Sequence, residues 1–259
     1  MNQLLALPAF TDNYVWLIHN GCDALVVDPG DAAPVQRTLA ALGLRLTDIL
    51  VTHHHADHVG GLSAWSPDTV AIHGAIDPKV PQISHPHHDG DVFEWRGMPI
   101  HVLSTPGHTQ VHLSYFLPRG LGADNPDPIV FVGDTLFSAG CGRVFDGTAE
   151  ALHQSLQTLA QLPDATRVCA AHEYTLANLR FAQAVEPDNP DVEGHLRHCE
   201  WLRSNGQATL PSTMGLERRI NPFLRVDVPA VKAAATSHGA ATDAAPDVFV
   251  ALRAWKNQF

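Results

Sequence analysis

The chain has 259 residues, 45% hydrophobic and 17% charged, a composition that suits a soluble globular protein and excludes a disordered one. Its 16 basic and 27 acidic side chains give a formal charge of -11, which opposes a phosphate-tracking surface, so no nucleic-acid partner is expected. The opening residues, MNQLLALPAFTDNYVWLI, lack a basic leader and are interrupted by Asp12-Asn13, and Cys22, Cys141, Cys169 and Cys199 form no C-x-x-C pair; the expectation is a cytoplasmic protein with reduced thiols and no membrane contact.

Gln3 to Leu7, Tyr14 to His19 and Ala24 to Asp28 read as three successive strands, with Asn20-Gly21 the clearest turn. Pro29-Gly30 stops the third strand, and Asp31 can cap a helix running to Leu42, with Val35, Leu39 and Leu42 at helical spacing and Gly43 at its end. The apolar run Asp48-Ile49-Leu50-Val51 then predicts a buried strand that delivers Thr52-His53-His54-His55-Ala56-Asp57-His58. Residues two apart on extended chain share a face, so His53 and His55 aim at one spot, while a turn into helix near Asp57 swings Asp57 and His58 toward a second. Imidazole and carboxylate are the usual ligands of zinc and its first-row neighbours, so His-x-His-x-Asp-His predicts a metal centre of two adjacent positions. Gly60-Gly61 would let backbone pass close by.

A short helix toward Trp65 and a strand from Thr69 to His73 follow. Pro78 to Gly90, which holds His85, His87 and His88 among prolines, reads as a surface loop outside the site. Asp91 to Trp95 and Ile100 to Ser104 form a hairpin pair that leads to Thr105-Pro106-Gly107-His108, and His108 is the next ligand; His112 is read as structural. Strands Leu113 to Leu117 and Ile129 to Val132 lead to Gly133-Asp134-Thr135. The two oxygens of Asp134 let one side chain serve two cations. After a helix from Thr148 to about Leu162, the strand Arg167 to Ala171 ends in His172. Four strand ends thus supply seven candidate ligands, as expected of a site on loops along one edge of a layered scaffold. Beyond Tyr174 strands give way to helices at about 175 to 184, 191 to 205, 229 to 238 and 243 to 255, which puts a domain boundary near residue 173. Cys141, between two glycines, has no dedicated base nearby in sequence and is read as structural rather than nucleophilic.

His-x-His-x-Asp-His is the signature of the metallo-β-lactamase superfamily. The ordered series of that motif with Pro106-Gly107-His108-Thr109, Phe131-Val132-Gly133-Asp134-Thr135, Gly140-Cys141-Gly142-Arg143, Ala171-His172-Glu173-Tyr174-Thr175, the run from Glu217 to Arg225 and Leu252-Arg253-Ala254-Trp255-Lys256 resembles the hydroxyacylglutathione hydrolase (glyoxalase II) family over essentially the whole chain. The resemblance implies an α/β fold, a four-layer αββα metallo-β-lactamase sandwich over residues 1–173, followed by a smaller helical substrate-binding domain over residues 174–259. It implies two divalent ions, zinc first with iron or manganese as alternatives, held by His53, His55 and His108 at one position, by Asp57, His58 and His172 at the other, and bridged by Asp134. It implies hydrolysis of S-(2-hydroxyacyl)glutathione, typically S-D-lactoylglutathione, to glutathione and D-lactate, the second step of methylglyoxal detoxification.

Substrate contacts carried over by the resemblance are Arg143, Phe145, Tyr174, Arg253 and Lys256; the partner is a small-molecule glutathione thioester, and a monomer is expected. Three positions depart from the family pattern: Arg143 stands where lysine is familiar, Phe145 where a tyrosine hydroxyl is often available, and Val111 where glycine precedes the histidine. The alternatives are a mononuclear iron persulfide dioxygenase of the same superfamily, which shares the early histidine motif but looks shorter at its C-terminus, and a non-catalytic metal-binding protein.

Overall fold

A computed structural model describes residues 2–259. The chain forms two compact units: residues up to Ser104 with Val111–Gly133, and Thr105–Gln110 with Asp134–Phe259.

In the first unit, β1 (Gln3–Ala9), β2 (Asn13–His19) and β3 (Asp23–Val27) make the antiparallel meander expected from their turns. After α1 (Ala32–Leu42), β4 (Arg45–Leu50) returns parallel to β3. Next come α2 (Ala56–Val59) and a 3₁₀ turn at Leu62–Ala64, and then β5 (Ala71–Gly74) and β6 (His85–Pro86) complete a six-stranded sheet in chain order. β7 (Val92–Trp95), β8 (Met98–Ser104), β9 (Leu113–Leu117) and β10 (Ile129–Gly133) pair antiparallel in sequence.

Side-chain alternation decides how these elements layer. Val15 and Leu17, Ala24 and Val26, and Ile49 and Val51 lie on one face, in one buried cluster with Val35 of α1 and with Leu62. Fully burying each valine, leucine or isoleucine there contributes about 1.5–3 kcal/mol. The other face meets the second group of strands. Trp16 packs on Phe131 with ring centroids 6.5 Å apart, Trp95 Nε1 donates to Thr47 Oγ1 at 3.0 Å, and the Tyr115 hydroxyl donates to the Val51 carbonyl at 2.8 Å. This unit therefore stacks helix, sheet and sheet.

Local chemistry sets the element ends. The Asp31 carboxylate accepts from Ala33 N to start α1, and Gly43 ends it at φ 65°, a conformation glycine adopts without strain. Three expectations need correction. Leu42 is 49% exposed, because α1 turns only its Val35 and Leu39 side to the sheet. The short helix toward Trp65 is broken in two, as Gly61 N turns to donate to the Pro29 carbonyl. The segment read as a surface loop contributes β6, whose residues His85 and Pro86 pair with His73 and Gly74.

The turn after β3 sits directly against α2. A Cβ on Gly30 would lie 1.7 Å from the Asp57 carbonyl oxygen, so backbone meets backbone there with no room for a side chain. Gly30→Ala is expected to cost about 3 kcal/mol or more by overpacking. That loss corresponds to a Tm lower by roughly 6–12 °C in a chain of this size, read by thermal unfolding of the two proteins side by side.

The second unit contains the hairpin β11 (Leu136–Phe137) and β12 (Gly140–Cys141), then α3 (Ala149–Leu159), which the Thr148 side chain caps and Leu152, Leu156 and Leu159 anchor. β13 (Arg167–Ala170) pairs antiparallel with β14 (Ser212–Thr213), a short strand in a stretch expected to be wholly helical. The helices are α4 (Thr175–Val185), α5 (Pro190–Ser204), α6 (Met214–Ile220), α7 (Pro229–Ser237) and α8 (Ala245–Lys256). Leu179, Ala182, Val192, Leu196 and Ile220 form a core shared by α4, α5 and α6, and Phe223 stacks on Phe181 and meets Phe249 edge-on. The short α6 carried too little periodic pattern to be anticipated. Among the described residues, no helix is long and apolar enough to cross a membrane.

Candidate metal centre and substrate groups

In the first unit the end of β4 and the start of α2 gather His53, His55, Asp57 and His58. His53 Nε2 and His55 Nδ1 are 3.0 Å apart, and His58 Nε2 lies 3.5 Å from Asp57 Oδ2. His53 and His58 are buried, with ring centroids 4.1 Å apart. His54, the middle residue of the triplet, points elsewhere, with Nδ1 3.1 Å from Asp77 Oδ2 and Nε2 3.1 Å from Lys79 Nζ. His112 stacks on His53 at 4.9 Å, in keeping with a structural role.

Asp28, at the end of β3, organises this group. Its Oδ1 accepts from Thr52 N at 2.8 Å, and its Oδ2 accepts from Thr52 Oγ1 at 2.7 Å and from His58 Nδ1 at 2.9 Å. Thr52 Oγ1, its proton directed at Asp28, is left as an acceptor for His53 Nδ1 at 3.0 Å. Both histidines therefore carry their proton on Nδ1 and turn the Nε2 lone pair inward, the arrangement that a carboxylate behind a metal-ligating imidazole produces. Asp28, His53 and His58 bring donor atoms within 4.8 Å of one another, but the hydrogen bonds to the Asp28 oxygens make it an orienting group. Asn13 Nδ2 does the same for Asp57 Oδ2 at 3.0 Å. The Tyr115 hydroxyl, kept protonated because burial and the nearby Asp28 charge push it well above the usual phenol range, fixes the Val51 carbonyl that precedes the motif.

In the second unit Asp134 stands between two imidazoles. Its Oδ2 is 3.4 Å from His108 Nε2, its Oδ1 is 3.4 Å from His172 Nε2, and all three residues are buried. His108 Nδ1 donates to the Arg143 carbonyl at 2.8 Å, which again turns the Nε2 lone pair toward Asp134. Donor separations near 3.4 Å match the edge of a tetrahedron built on metal–ligand bonds of about 2.0–2.2 Å. Imidazole nitrogens with buried carboxylate oxygens are a donor set that fits a late first-row divalent ion.

The residues expected to touch substrate differ in their surroundings. Phe145, 65% exposed, meets His108 edge-on at 5.2 Å, and Tyr174 stacks on His172 at 4.7 Å. Arg253 differs from the other basic residues in being buried. Its Nη1 donates to the carbonyls of Cys141 and Gly142 at 2.9 and 3.2 Å, so it fixes the backbone that carries Arg143. Lys256 Nζ donates to the Ala177 carbonyl at 3.1 Å and lies over the Phe181 ring. Burial, with Arg253 and Arg143 close by, lowers its pKa to about 8. Burial likewise raises the Cys141 thiol despite Arg253, which keeps it protonated and fits a structural role. The run from Glu217 to Arg225 acts through α6. The buried Glu217 carboxylate accepts from Ala139 N at 2.8 Å, and Asn221 Nδ2 donates to the carbonyls of Phe137 and Gly140, tying down the β11–β12 hairpin.

Comparison with known proteins shows the family. Residues 9–172 match the metallo-β-lactamase superfamily, and residues 173–259 match the hydroxyacylglutathione hydrolase C-terminus. The hydroxyacylglutathione hydrolase of Albidiferax ferrireducens is 50% identical over 258 residues, covering 99% of this chain and 100% of that protein. The chain belongs to the hydroxyacylglutathione hydrolase family. A second member, from Chromohalobacter salexigens, is 47% identical with both chains covered in full. The shared fold extends further: the crystal structure of the BLEG-1 B3 metallo-β-lactamase superposes with a TM-score of 0.61 at 21% identity, covering 86% of this chain and 99% of that one.

Asp28, Thr52, Asn13 and Tyr115 were not anticipated as site residues. A signal for Asp28 exists, since β3 and β4 run parallel with Val27 beside Leu50, so the residues following both strands emerge together.

Proposed function

We propose that this chain is a divalent-metal-dependent thioester hydrolase that converts S-(2-hydroxyacyl)glutathione and water to glutathione and a 2-hydroxy acid, with S-D-lactoylglutathione and D-lactate as the leading pair. The observation that carries the reading is Asp134, whose two oxygens face two different imidazoles. On this reading His53, His55 and His108 hold one ion, Asp57, His58 and His172 the other, and Asp134 bridges them, with zinc the first expectation and iron or manganese the alternatives. Two divalent ions bound there would lower the pKa of water toward neutrality and polarise the thioester carbonyl. The protein's own residues set direction: Asp28 and the Arg143 carbonyl fix which nitrogen His58 and His108 present, and the aromatic rings of Phe145 and Tyr174 lie against His108 and His172. A thiolate leaves readily, which fits a site with no dedicated general acid.

Glutathione carries two carboxylates, and Arg143 and Lys256 offer charge-assisted bonds to them, with Arg253 supporting the loop. Residues 1–173 are taken as the catalytic domain and 174–259 as the substrate-binding domain, a division supported by family matches that meet at residues 172 and 173. The chain is read as a cytoplasmic monomer.

Lys256 gives the proposal a pH signature. With its pKa lowered to about 8, the ammonium is charged below that value and attracts carboxylate, and the attraction fades as pH rises through it. KM for S-D-lactoylglutathione is expected to rise above pH 8 with little change in kcat, and Lys256→Met is expected to flatten the profile. The folding contribution runs the other way: the unfolded lysine binds its proton more tightly, so this group's share of stability rises from about pH 8 toward the ordinary lysine value, and weaker binding there is not unfolding. Steady-state kinetics from pH 6.5 to 9.5 on both proteins check it.

The direct test of function is hydrolysis of S-D-lactoylglutathione by purified protein with and without chelator. Rapid, chelator-sensitive thiol release supports the proposal. No release from a metallated sample contradicts it, and oxygen uptake with glutathione persulfide would point to the dioxygenase.

A further inference from the structure

Away from the ligand set, the fold gathers three more histidines on the outer strands of the first sheet. His73 and His85 are direct partners in the β5–β6 pairing, so their side chains share a face, and His87, two residues on, continues that pairing through its N–H to the Gly74 carbonyl at 2.8 Å. The rings of His85 and His87 lie 5.0 and 5.1 Å from that of His73, and Phe93 of β7 stacks on His73 and His87 at 4.5 Å each. His73 Nδ1 and His87 Nε2 are 2.8 Å apart.

The far side of each imidazole faces a carboxylate. His73 Nε2 lies 3.0 Å from Asp48 Oδ1, and His87 Nδ1 lies 3.7 Å from Asp91 Oδ2. A proton on His73 Nε2, given to Asp48, leaves the Nδ1 lone pair facing His87. One imidazole bonded to a carboxylate and a second with a carboxylate near by, their remaining nitrogens in contact, present two lone pairs that an ion could take in place of the shared proton. The His53–His55 pair shows nearly the same separation, 3.0 Å. Burial, together with the neighbouring His73 and His85, holds His87 below the usual imidazole range against the pull of Asp91, which favours its neutral form. His85 is exposed, with Nδ1 3.0 Å from the Ser84 hydroxyl, and borders an open depression of about 500 Å³ also lined by Asp48 and Arg96. Arg96, the nearby cation, is engaged by Asp23 at 2.7 Å.

We infer that His73 and His87, with His85 rotating in as the third donor, form a peripheral site for a late first-row divalent cation. The imidazole set favours copper and nickel over manganese. It is separate from the proposed hydrolytic centre and independent of thioester turnover.

The test uses tag-free holoenzyme loaded with zinc and titrated with nickel(II) by calorimetry, zinc retention being measured on the same sample, and with copper(II) by electron paramagnetic resonance. The expected result is one further equivalent bound with zinc retained, nitrogen hyperfine structure from copper, and affinity weakened roughly tenfold or more in His87→Gln, with a smaller loss in His85→Gln. Thioester turnover stays unchanged in both variants, which also reports that they fold. No further equivalent, or one that His87→Gln leaves unchanged, overturns the inference and leaves the imidazole pair as a hydrogen bond that secures β6.

Discussion

Asp134→Ala is expected to lower thioester turnover by on the order of 10³-fold, a loss of about 4 kcal/mol of transition-state stabilisation. The reason is its position: one oxygen faces His108 and the other His172, each at 3.4 Å, so a single truncation removes a carboxylate from both candidate metal positions. Asp134→Asn keeps the shape and one oxygen but loses the charge, and an intermediate activity is expected. Turnover of S-D-lactoylglutathione, with metal content and far-ultraviolet circular dichroism on the same samples, checks the series. Turnover of the alanine variant within tenfold of the parent would mean that Asp134 caps a turn and nothing more.

The second large effect is expected at a residue that is not itself a ligand in this account. Asp28→Ala deletes an acceptor for three donors, Thr52 N, Thr52 Oγ1 and His58 Nδ1, all buried. Leaving buried donors unmatched costs about 1–3 kcal/mol each, and freeing a ligand imidazole typically costs about 10–100-fold in metal affinity or activity. Asp28 also sits at φ 51°, a conformation that asparagine tolerates far better than alanine. Asp28→Asn should therefore fold near normally while still binding metal more weakly, which separates the orienting role from the backbone one. Metal retention against a chelator series is the measurement, and equal retention in the asparagine variant and the parent would remove Asp28 from the site.

Much of this was legible in the residues because metal ligation imposes local spacing. His53, His55, Asp57 and His58 fall within six positions, and the alternation of extended chain followed by a helical turn is enough to say which of them face together. The strands of the meander and the capped helix α1 were legible for the same reason, since Asp31, Gly43 and the apolar alternation are local signals. What escaped depended on contacts between distant segments. Asp28 reads as the polar end of a strand until β3 and β4 are known to run parallel and in register. Arg253 reads as a substrate contact, and its bonds to the Cys141 and Gly142 carbonyls, more than 100 residues away, have no local signal. The segment from Pro78 to Gly90 reads as loop because three prolines and a two-residue strand leave no periodicity, yet the pairing of His85 with His73 places part of it on the sheet. The two compact units also differ from a simple division at residue 173, because Thr105–Gln110 and the whole chain from Asp134 onward group together.

The account rests on a binuclear hydrolytic centre, and its most direct test is to add zinc stepwise to metal-free protein while counting bound metal and measuring S-D-lactoylglutathione hydrolysis on the same samples, with His87→Gln in parallel to exclude the peripheral site. The account predicts that activity climbs until two ions per chain are bound in that variant and is lost from Asp134→Ala at any loading. Full activity at one ion per chain, or none at two, would contradict it.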